Sequence, residues 1–183
     1  MRPDETLLAW WLDELDEDEA LDFEAHLFEC DECGARLREL LRLRAGVRDA
    51  LLQGEVAGAV SSRFIDKLRE DGLRVREYRL EAGGSVACTV APDDDVVVSH
   101  LRAPLAGVRQ LDVEYEYAGR KFRTPHVPFD AAANEVTLIA PTADLKKRGV
   151  STQWMRLYAV TLDSQRLVGE YTFNHTPWGA RTD

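Results

Sequence analysis

The residues best suited to chemistry lie within eight positions, in the segment His26-Leu27-Phe28-Glu29-Cys30-Asp31-Glu32-Cys33. The segment holds two of the three cysteines and one of the four histidines of the chain. A histidine and a cysteine four residues apart share one face of a helix, about one turn apart. Cys33 follows where the chain would leave that helix. One imidazole and two thiolates can converge on a borderline metal ion, and zinc is the usual occupant.

The surrounding sequence resembles the zinc-binding anti-sigma factor family. The resemblance rests on the run TLLAWWL at residues 6–12, an acidic turn, and the run AHLFECDECGARL at residues 25–37, and it covers roughly the first 70 residues. It implies a four-helix domain with the HxxxCxxC signature between its second and third helices. It also implies that this domain sequesters a sigma factor of the extracytoplasmic-function type and keeps it off RNA polymerase core.

The fourth zinc ligand is the point at which the sequence departs from the family. Many members of the family place a His or Cys about 25 residues before the motif histidine, whereas that region here reads Met1-Arg2-Pro3-Asp4-Glu5 and contains neither residue type. Structural zinc normally has four protein ligands. Asp4 or Glu5 could supply an oxygen ligand, or water or another residue could fill the position. The alternative is that the histidine and the two cysteines simply pack at a helix junction.

Length and composition favour a globular chain of one large or two small domains, with 183 residues, 45% of them hydrophobic and 31% charged. No run approaches the roughly 20 apolar residues that a membrane span needs. The acidic start at Asp4 and Glu5 is unlike a signal peptide. Three cysteines, two of them in the metal-like cluster, fit a reducing compartment. These features predict a cytoplasmic protein with no membrane contact.

Negative charge is concentrated at the N-terminus. The net charge is −10, and residues 1–35 hold 13 acidic side chains against one basic side chain. Such a block repels nucleic-acid phosphates, which require clustered Lys and Arg, so we expect no direct nucleic-acid contact. It would attract a basic partner and speed the encounter with it. An acidic surface that serves only solubility is the alternative.

Apolar periodicity predicts four helices in the first 71 residues, over 4–14, from 16 to the turn at Cys30, 34–52 and 63–71. Asp16 is the expected N-cap of the second helix, with Glu19 three residues later. Gly54 and Gly58 interrupt the helical pattern and predict a hinge before the fourth helix.

Two of these helices carry candidate partner-binding residues. Trp10 lies beside Trp11, so only one of the two can face the core, and aromatic residues often anchor interfaces. The fourth helix is short and amphipathic and follows the hinge, which makes Phe64, Ile65 and Leu68 candidates for partner contact. The family resemblance supports that use, and docking of this helix onto its own chain is the alternative.

From about residue 73 the periodicity changes from 3.6 to 2 residues. The run LDVEYEY at 111–117 alternates apolar and acidic residues, and a turn at Ala118-Gly119 leads into the basic run RKFR, which predicts a hairpin with cross-strand charge pairing. Further strands are expected over 86–91, 96–101, 135–140, 153–162 and 166–174, with a short helix over 142–147. Such spacing is typical of a β-sandwich, with a small barrel as the alternative.

The predicted fold class is therefore α+β with two domains. Residues 1–72 are expected to form a four-helix anti-sigma-like domain, and residues 73–183 a mainly antiparallel β-sandwich domain.

Outside the His26 cluster we predict no further metal site and no catalytic site. Some anti-sigma proteins carry a C-terminal cupin domain with a second metal, but His100, His126 and His175 stand alone in the sequence, so no second metal site is predicted. Cys88 lies in an apolar strand and is expected to be a small buried side chain. No phosphate loop, Gly-x-Ser-x-Gly elbow or HExxH helix occurs, and we predict no catalytic residue.

The leading hypothesis is a cytoplasmic anti-sigma factor whose helical domain occludes the sigma factor, with the β domain as a sensor or accessory binding module. A second hypothesis adds a switch to this function: oxidation of the thiols would release zinc and loosen the helix junction. One alternative is a metalloenzyme in which water occupies the fourth zinc position. Another is a carbohydrate- or ligand-binding β module with a helical adaptor.

Overall fold

The computed structural model describes residues 3–117 and 119–179. Within these ranges the chain forms five α-helices and nine β-strands. In chain order they are α1 (Pro3–Trp11), α2 (Glu17–Glu29), α3 (Asp31–Gln53), β1 (Gly58–Val60), α4 (Ser62–Glu70), β2 (Val75–Leu80), β3 (Ser85–Cys88), β4 (Val96–Arg102), β5 (Leu111–Tyr117), β6 (Arg120–Thr124), β7 (Glu135–Pro141), α5 (Ala143–Lys147), β8 (Ser151–Val160) and β9 (Gln165–His175).

The first three helices follow one another through short, well-defined caps. Asp16 is the N-cap of α2, and its side chain accepts a hydrogen bond from the Glu19 N–H at 2.9 Å, as the spacing predicts. Cys30 has an extended backbone and separates α2 from α3. α3 ends at Gly54, whose left-handed conformation (φ 84°) suits a residue without Cβ.

These helices bury few side chains. α2 has no buried residue, and of the 23 residues of α3 only Leu51 is buried. In α1 and the turn after it, Leu7 and Leu12 are buried. A helix that buries little apolar surface gains little stability from packing. The N-terminal helices therefore lack a substantial core of their own.

The prediction of a four-helix N-terminal domain is wrong. The segment after α3 forms β1, which pairs antiparallel with β7. The next helix, α4, packs Ile65 and Leu68 against β4 and β7 together with Leu51 of α3. The segment predicted as a hinge instead becomes extended enough to add an edge strand. The apolar face of α4 is then covered by a sheet.

The strands form two sheets, with the orders β1-β7-β4-β2 and β3-β9-β8-β5-β6. The prediction of mainly antiparallel sheets misses the parallel neighbours, since β2 runs parallel to β4 and β3 parallel to β9. Both sheets are therefore mixed. The chain path explains this result. The strand that follows β2 in sequence, β3, lies in the other sheet, so β2 and β4 are joined by a crossover and not by a hairpin. The strands β3 and β9 are likewise far apart in the sequence and are not joined by a hairpin.

Two apolar cores hold these elements. The larger one combines buried residues of both sheets, among them Leu101 and Val136 from the first and Leu157 and Tyr171 from the second. The smaller one joins the end of α3, α4 and the first sheet and contains Leu51, Ile65, Leu68, Leu73, Val96, Val98 and Ile139. The last turn of α3 is thereby fixed to the β region.

Tyr171 in β9 links the two sheets. It is fully buried, and its hydroxyl donates a hydrogen bond to the Arg102 carbonyl of β4 at 2.6 Å. Burial raises the pKa of the Tyr171 phenol, so it remains a donor. A Cβ added at Gly169 would lie 2.3 Å from the Tyr171 hydroxyl oxygen. Glycine at 169 makes the close approach of this ring possible.

No helix within residues 3–117 and 119–179 combines the length and the apolar character that a bilayer crossing requires.

Candidate metal centre

Three adjoining pieces of backbone place the predicted ligands. His26 lies in the last turn of α2, Cys30 is the residue between α2 and α3, and Cys33 lies in the first turn of α3. Cys30 leaves helical geometry (φ −113°, ψ 103°), and this break turns Cys33 back toward His26. The imidazole is exposed and both thiols are partly buried. The centre therefore lies at the surface.

The donor atoms of these three residues converge. All lie within 4.8 Å of one another, and His26 Nε2 is 3.2 Å from Cys33 Sγ. Two donors bound to one tetrahedral zinc lie about 3.5–4 Å apart, given bonds of about 2.0–2.1 Å to nitrogen and about 2.3 Å to sulfur. Small side-chain shifts would accommodate the ion. The imidazole and thiol donors fit zinc, which would hold α2 and α3 together at their junction when bound.

The two thiols differ in acidity. A hydrogen bond from the Cys33 backbone N–H, supported by the Cys33 side chain, lowers the pKa of Cys30. Loss of solvent around Cys33 raises its pKa, and the neighbouring Cys30 acts in the same direction. Cys30 is therefore the first of the pair to ionise. A thiolate is the form that ligates zinc.

Packing around the centre comes from α1 and α2. The Phe23 ring lies 6.2 Å from the His26 ring and 6.1 Å from Trp10. The Trp10 indole donates a hydrogen bond to Glu24 at 3.2 Å. Trp10 thus links α1 to the ligand-bearing helix.

Within the described side chains no fourth His, Cys, Asp or Glu joins this group. Glu5, one of the two oxygen ligands considered from the sequence, does not belong to it. The side chain of the other, Asp4, lies outside the described residues, as do Met1 and Arg2. The site has three protein ligands in view and no identified fourth one.

The predicted partner-binding residues lie in different environments. Trp10 and Phe64 are half-buried, whereas Ile65 (1% exposed) and Leu68 (3% exposed) lie inside the smaller core. As α4 is placed, Ile65 and Leu68 contact the first sheet. Their contact with a partner stays a prediction and would require α4 to leave the sheet.

Two histidines that stand alone in the sequence have close neighbours in space. His100 is buried in β4, and its Nδ1 lies 2.8 Å from Glu135 of β7. His175 is buried at the end of β9, with Nδ1 4.0 Å from the Cys88 sulfur. Burial raises the pKa of the Cys88 thiol. These pairs arise from strand pairing between distant segments, so sequence spacing could not reveal them.

Sequence reasoning also missed two exposed apolar residues of α2. Leu21 is 59% exposed and Phe28 is 91% exposed. Their separation of seven residues places them on one face of the helix. The seven-residue spacing can be read from the sequence, but Phe28 lies between His26 and Cys30, where the pattern indicates metal binding and not an exposed apolar face.

Comparison with known proteins gives one family match. Residues 4–34 match the model of a family described as "Putative zinc-finger", whose domains are typical of anti-sigma regulators rather than of enzymes. No curated protein matches the chain. Among solved structures, the N-terminal domain of phage TP901-1 ORF48 shares 12% identity, with 57% of this chain and 99% of that chain covered and a TM-score of 0.36.

The family match spans the same residues as the ligand cluster. It ends at residue 34, just after Cys33, and includes all three converging donors. The resemblance stated from the sequence is confirmed over this stretch, and so is the expectation of zinc with an unidentified fourth ligand. Residues 4–34 therefore resemble a zinc-finger segment, and the arrangement of His26, Cys30 and Cys33 within it supports zinc binding.

Proposed function

We propose that this chain is an anti-sigma factor that binds and sequesters a sigma factor of the extracytoplasmic-function type. The observation that carries the proposal is the combination of a zinc-finger segment with helices that bury almost nothing. α2 has no buried residue, and the one buried residue of α3 packs onto the β region. Helices of this kind gain most of their stability from what they pack against. A bound partner would supply that surface.

Charge supports the same partner. The first 35 residues hold 13 acidic side chains and one basic side chain. Sigma factors bind DNA and therefore present basic surfaces, which an acidic protein can steer toward itself and cover. The same acidic surface disfavours direct contact with nucleic acid. In this proposal the chain acts in the cytoplasm, where sigma factor and RNA polymerase meet.

The β region is proposed as a sensor or accessory binding module. A cavity of about 440 Å³ is lined by residues of this region, with both acidic and basic groups, namely Glu116, Gly119, Asp144, Lys147, Arg148, Ser151, Thr152 and Gln153. The charged and hydroxyl groups among these residues could bind a polar ligand. The division into domains at residues 72 and 73 stays part of the proposal.

The test is co-expression of the full chain with the sigma factor encoded beside it, followed by gel filtration and zinc analysis. We expect a one-to-one complex that contains one zinc per chain. The double variant Cys30→Ser/Cys33→Ser should lose the zinc. Its affinity for the sigma factor then shows whether the metal is needed for complex formation. Absence of any complex between zinc-loaded protein and sigma factor at physiological salt would refute the proposed function.

A further inference from the structure

α2 carries an apolar strip that nothing in the described chain covers. Leu21 (59% exposed) and Phe28 (91% exposed) lie two helical turns apart on one face, about 10 Å along the axis. Exposure of two large apolar side chains is unfavourable in water, and a partner that covered them would remove this cost. A strip of this kind on an otherwise polar helix is typical of a protein-binding surface.

Carboxylates border the strip, and they form no ion pair within the part of the chain that the structure describes. α2 contains six acidic residues and no Lys or Arg: Glu17, Asp18, Glu19, Asp22, Glu24 and Glu29. None of them forms an ion pair with another residue of the described ranges. Glu17, Asp18 and Glu24 lie within one turn of Leu21 and border the strip. The surface around the strip is thus negatively charged, and no cation of the described residues neutralises that charge.

Both ends of this helix are held in place. Asp16 caps the N-terminus through its bond to the Glu19 N–H. At the other end Phe28 lies between the ligands His26 and Cys30, two residues from each. A metal bound there would fix the last turn of α2 and with it the position of Phe28. The surface would be preorganised, which lowers the entropic cost of binding.

We infer that the Leu21–Phe28 strip is the docking surface for an amphipathic helix of the sigma factor, with apolar residues facing the strip and Lys or Arg on its flanks. Two anchors one heptad apart match the repeat of a helix laid alongside α2. Flanking cations on that helix would neutralise the bordering carboxylates. This inference rests on the proposed function, because it takes the sigma factor as the partner.

A second copy of the chain fits the strip less well. A symmetric dimer through this face would bring the same surface of both copies together. The carboxylates that border the strip on one α2 would then lie near those of the other, and like charges across an interface disfavour association. Charge therefore selects a basic partner.

The experiment compares the affinity of the zinc-loaded full chain for the sigma factor with that of single variants. Phe28→Ala should weaken binding about 30-fold or more, and Leu21→Ala somewhat less, as expected for central apolar anchors. Leu43→Ala, at an exposed apolar position of α3, is the matched control and should stay within about twofold. Unfolding temperature and zinc content should be the same in all of these proteins, because the altered side chains are exposed.

A charge variant tests the flanks separately. Glu17→Gln combined with Asp18→Asn should lower affinity most at low salt and reduce the dependence of affinity on salt concentration. An unchanged salt dependence would contradict a basic partner helix.

The outcomes separate this inference from the proposed function. If the unaltered chain does not bind the sigma factor, both fail. If it binds but Phe28→Ala and Leu21→Ala bind as tightly as Leu43→Ala, the function stands and the docking surface is wrong. If the chain is a dimer that Phe28→Ala converts to a monomer, a second copy covers the strip and the inference is overturned.

Discussion

The two ends of α3 show how differently the two parts of this protein are stabilised. Its first turn carries Cys33 in a surface cluster of metal ligands, whereas its last turn places Leu51 (1% exposed) in a core shared with α4 and the first sheet. One helix thus begins beside a cluster of residues that could bind a metal and ends in an apolar core. The helical segment buries little and carries the metal-ligand cluster, whereas the β region is stabilised by its own apolar core.

The largest expected effect comes from removing the buried end of α3. Leu51→Ala should lower the free energy of unfolding by about 2–5 kcal/mol, because it leaves a cavity among α3, α4 and the sheet. Urea denaturation followed by circular dichroism measures this. The neighbouring exposed Leu52 provides the control, since Leu52→Ala should change stability by about 0.5 kcal/mol or less. Equal effects of the two variants would contradict the assignment of Leu51 to a core that stabilises the β region.

Gly169→Ala should destabilise the β region alone. The new Cβ would approach the Tyr171 ring to 2.3–2.8 Å, and relief of this overlap costs about 1–3 kcal/mol. Thermal unfolding is the measurement. Gly149→Ala, where an added Cβ meets no atom within 4 Å, is the control and should be nearly neutral. Zinc content should be unaffected in both variants, because the ligands lie in the helical segment.

The buried carboxylate of Asp112 should make β-region stability depend on pH. Burial by itself would raise its pKa, but hydrogen bonds from Gln110, the His126 N–H and Arg123 hold the pKa below the ordinary 3.8. Asp112→Asn should therefore cost about 1–2 kcal/mol at pH 7. The stabilisation is complete above pH 3.8 and is lost as the pH falls through the lower folded value.

Denaturation of both proteins at pH 7, 5 and 3 measures this dependence. The difference in unfolding free energy should be constant between pH 7 and 5 and should shrink at pH 3. Asp163→Asn, in the exposed turn between β8 and β9, is the control and should show no difference at any pH. A difference that grows toward pH 3 would contradict the assignment.

Removal of the metal should affect only the helical segment. Chelation of zinc, or Cys33→Ser, should speed amide hydrogen exchange around residues 23–37, because the α2–α3 junction loses its cross-link. Exchange in β4, β7 and β8 should not change. Mass spectrometry of peptides from the full chain measures both regions at once. Faster exchange throughout the sheets would show that the metal also supports the β region.

Gly46→Ala gives the smallest and the only favourable change. Gly46 lies in the middle of α3 with no atom within 4 Å of an added Cβ. Alanine there should raise the free energy of unfolding by about 0.5–1 kcal/mol, since it restricts the unfolded chain and favours the helix. Thermal unfolding measures the gain, and Gly34→Ala near the metal ligands is the comparison. A loss of stability would mean that position 46 packs against something.

Local patterns predicted most individual elements. The strand expected over 96–101 is Val96–Arg102, the helix expected over 142–147 is Ala143–Lys147, and the helix expected over 63–71 is Ser62–Glu70. The alternating run at 111–117 pairs with the basic run that follows it, with Glu114 opposite Arg123 and Glu116 opposite Lys121. Periodicity and turn residues carry this information because they act over a few neighbouring positions.

Long-range pairing was not predictable in the same way. β1 has three residues, of which Gly58 is the first, and Gly54 lies shortly before it, so the local sequence indicates a break. The segment forms a strand because it pairs with the edge of β7. The parallel pairings of β2 with β4 and of β3 with β9 join segments separated by other strands. No local pattern distinguishes which of several strands will be the neighbour.

The candidate metal centre could be predicted from local sequence, because His26, Cys30 and Cys33 lie within eight residues and helix geometry brings them together. The sequence also determined the acidic character of the N-terminal third. What covers each helix could not be predicted in this way, because it depends on tertiary packing. Ile65 of α4 and Phe28 of α2 are both large apolar residues on amphipathic helices, yet one is 1% exposed and the other 91%. Burial depends on which surface the chain folds against, and that surface is built from residues far away in the sequence.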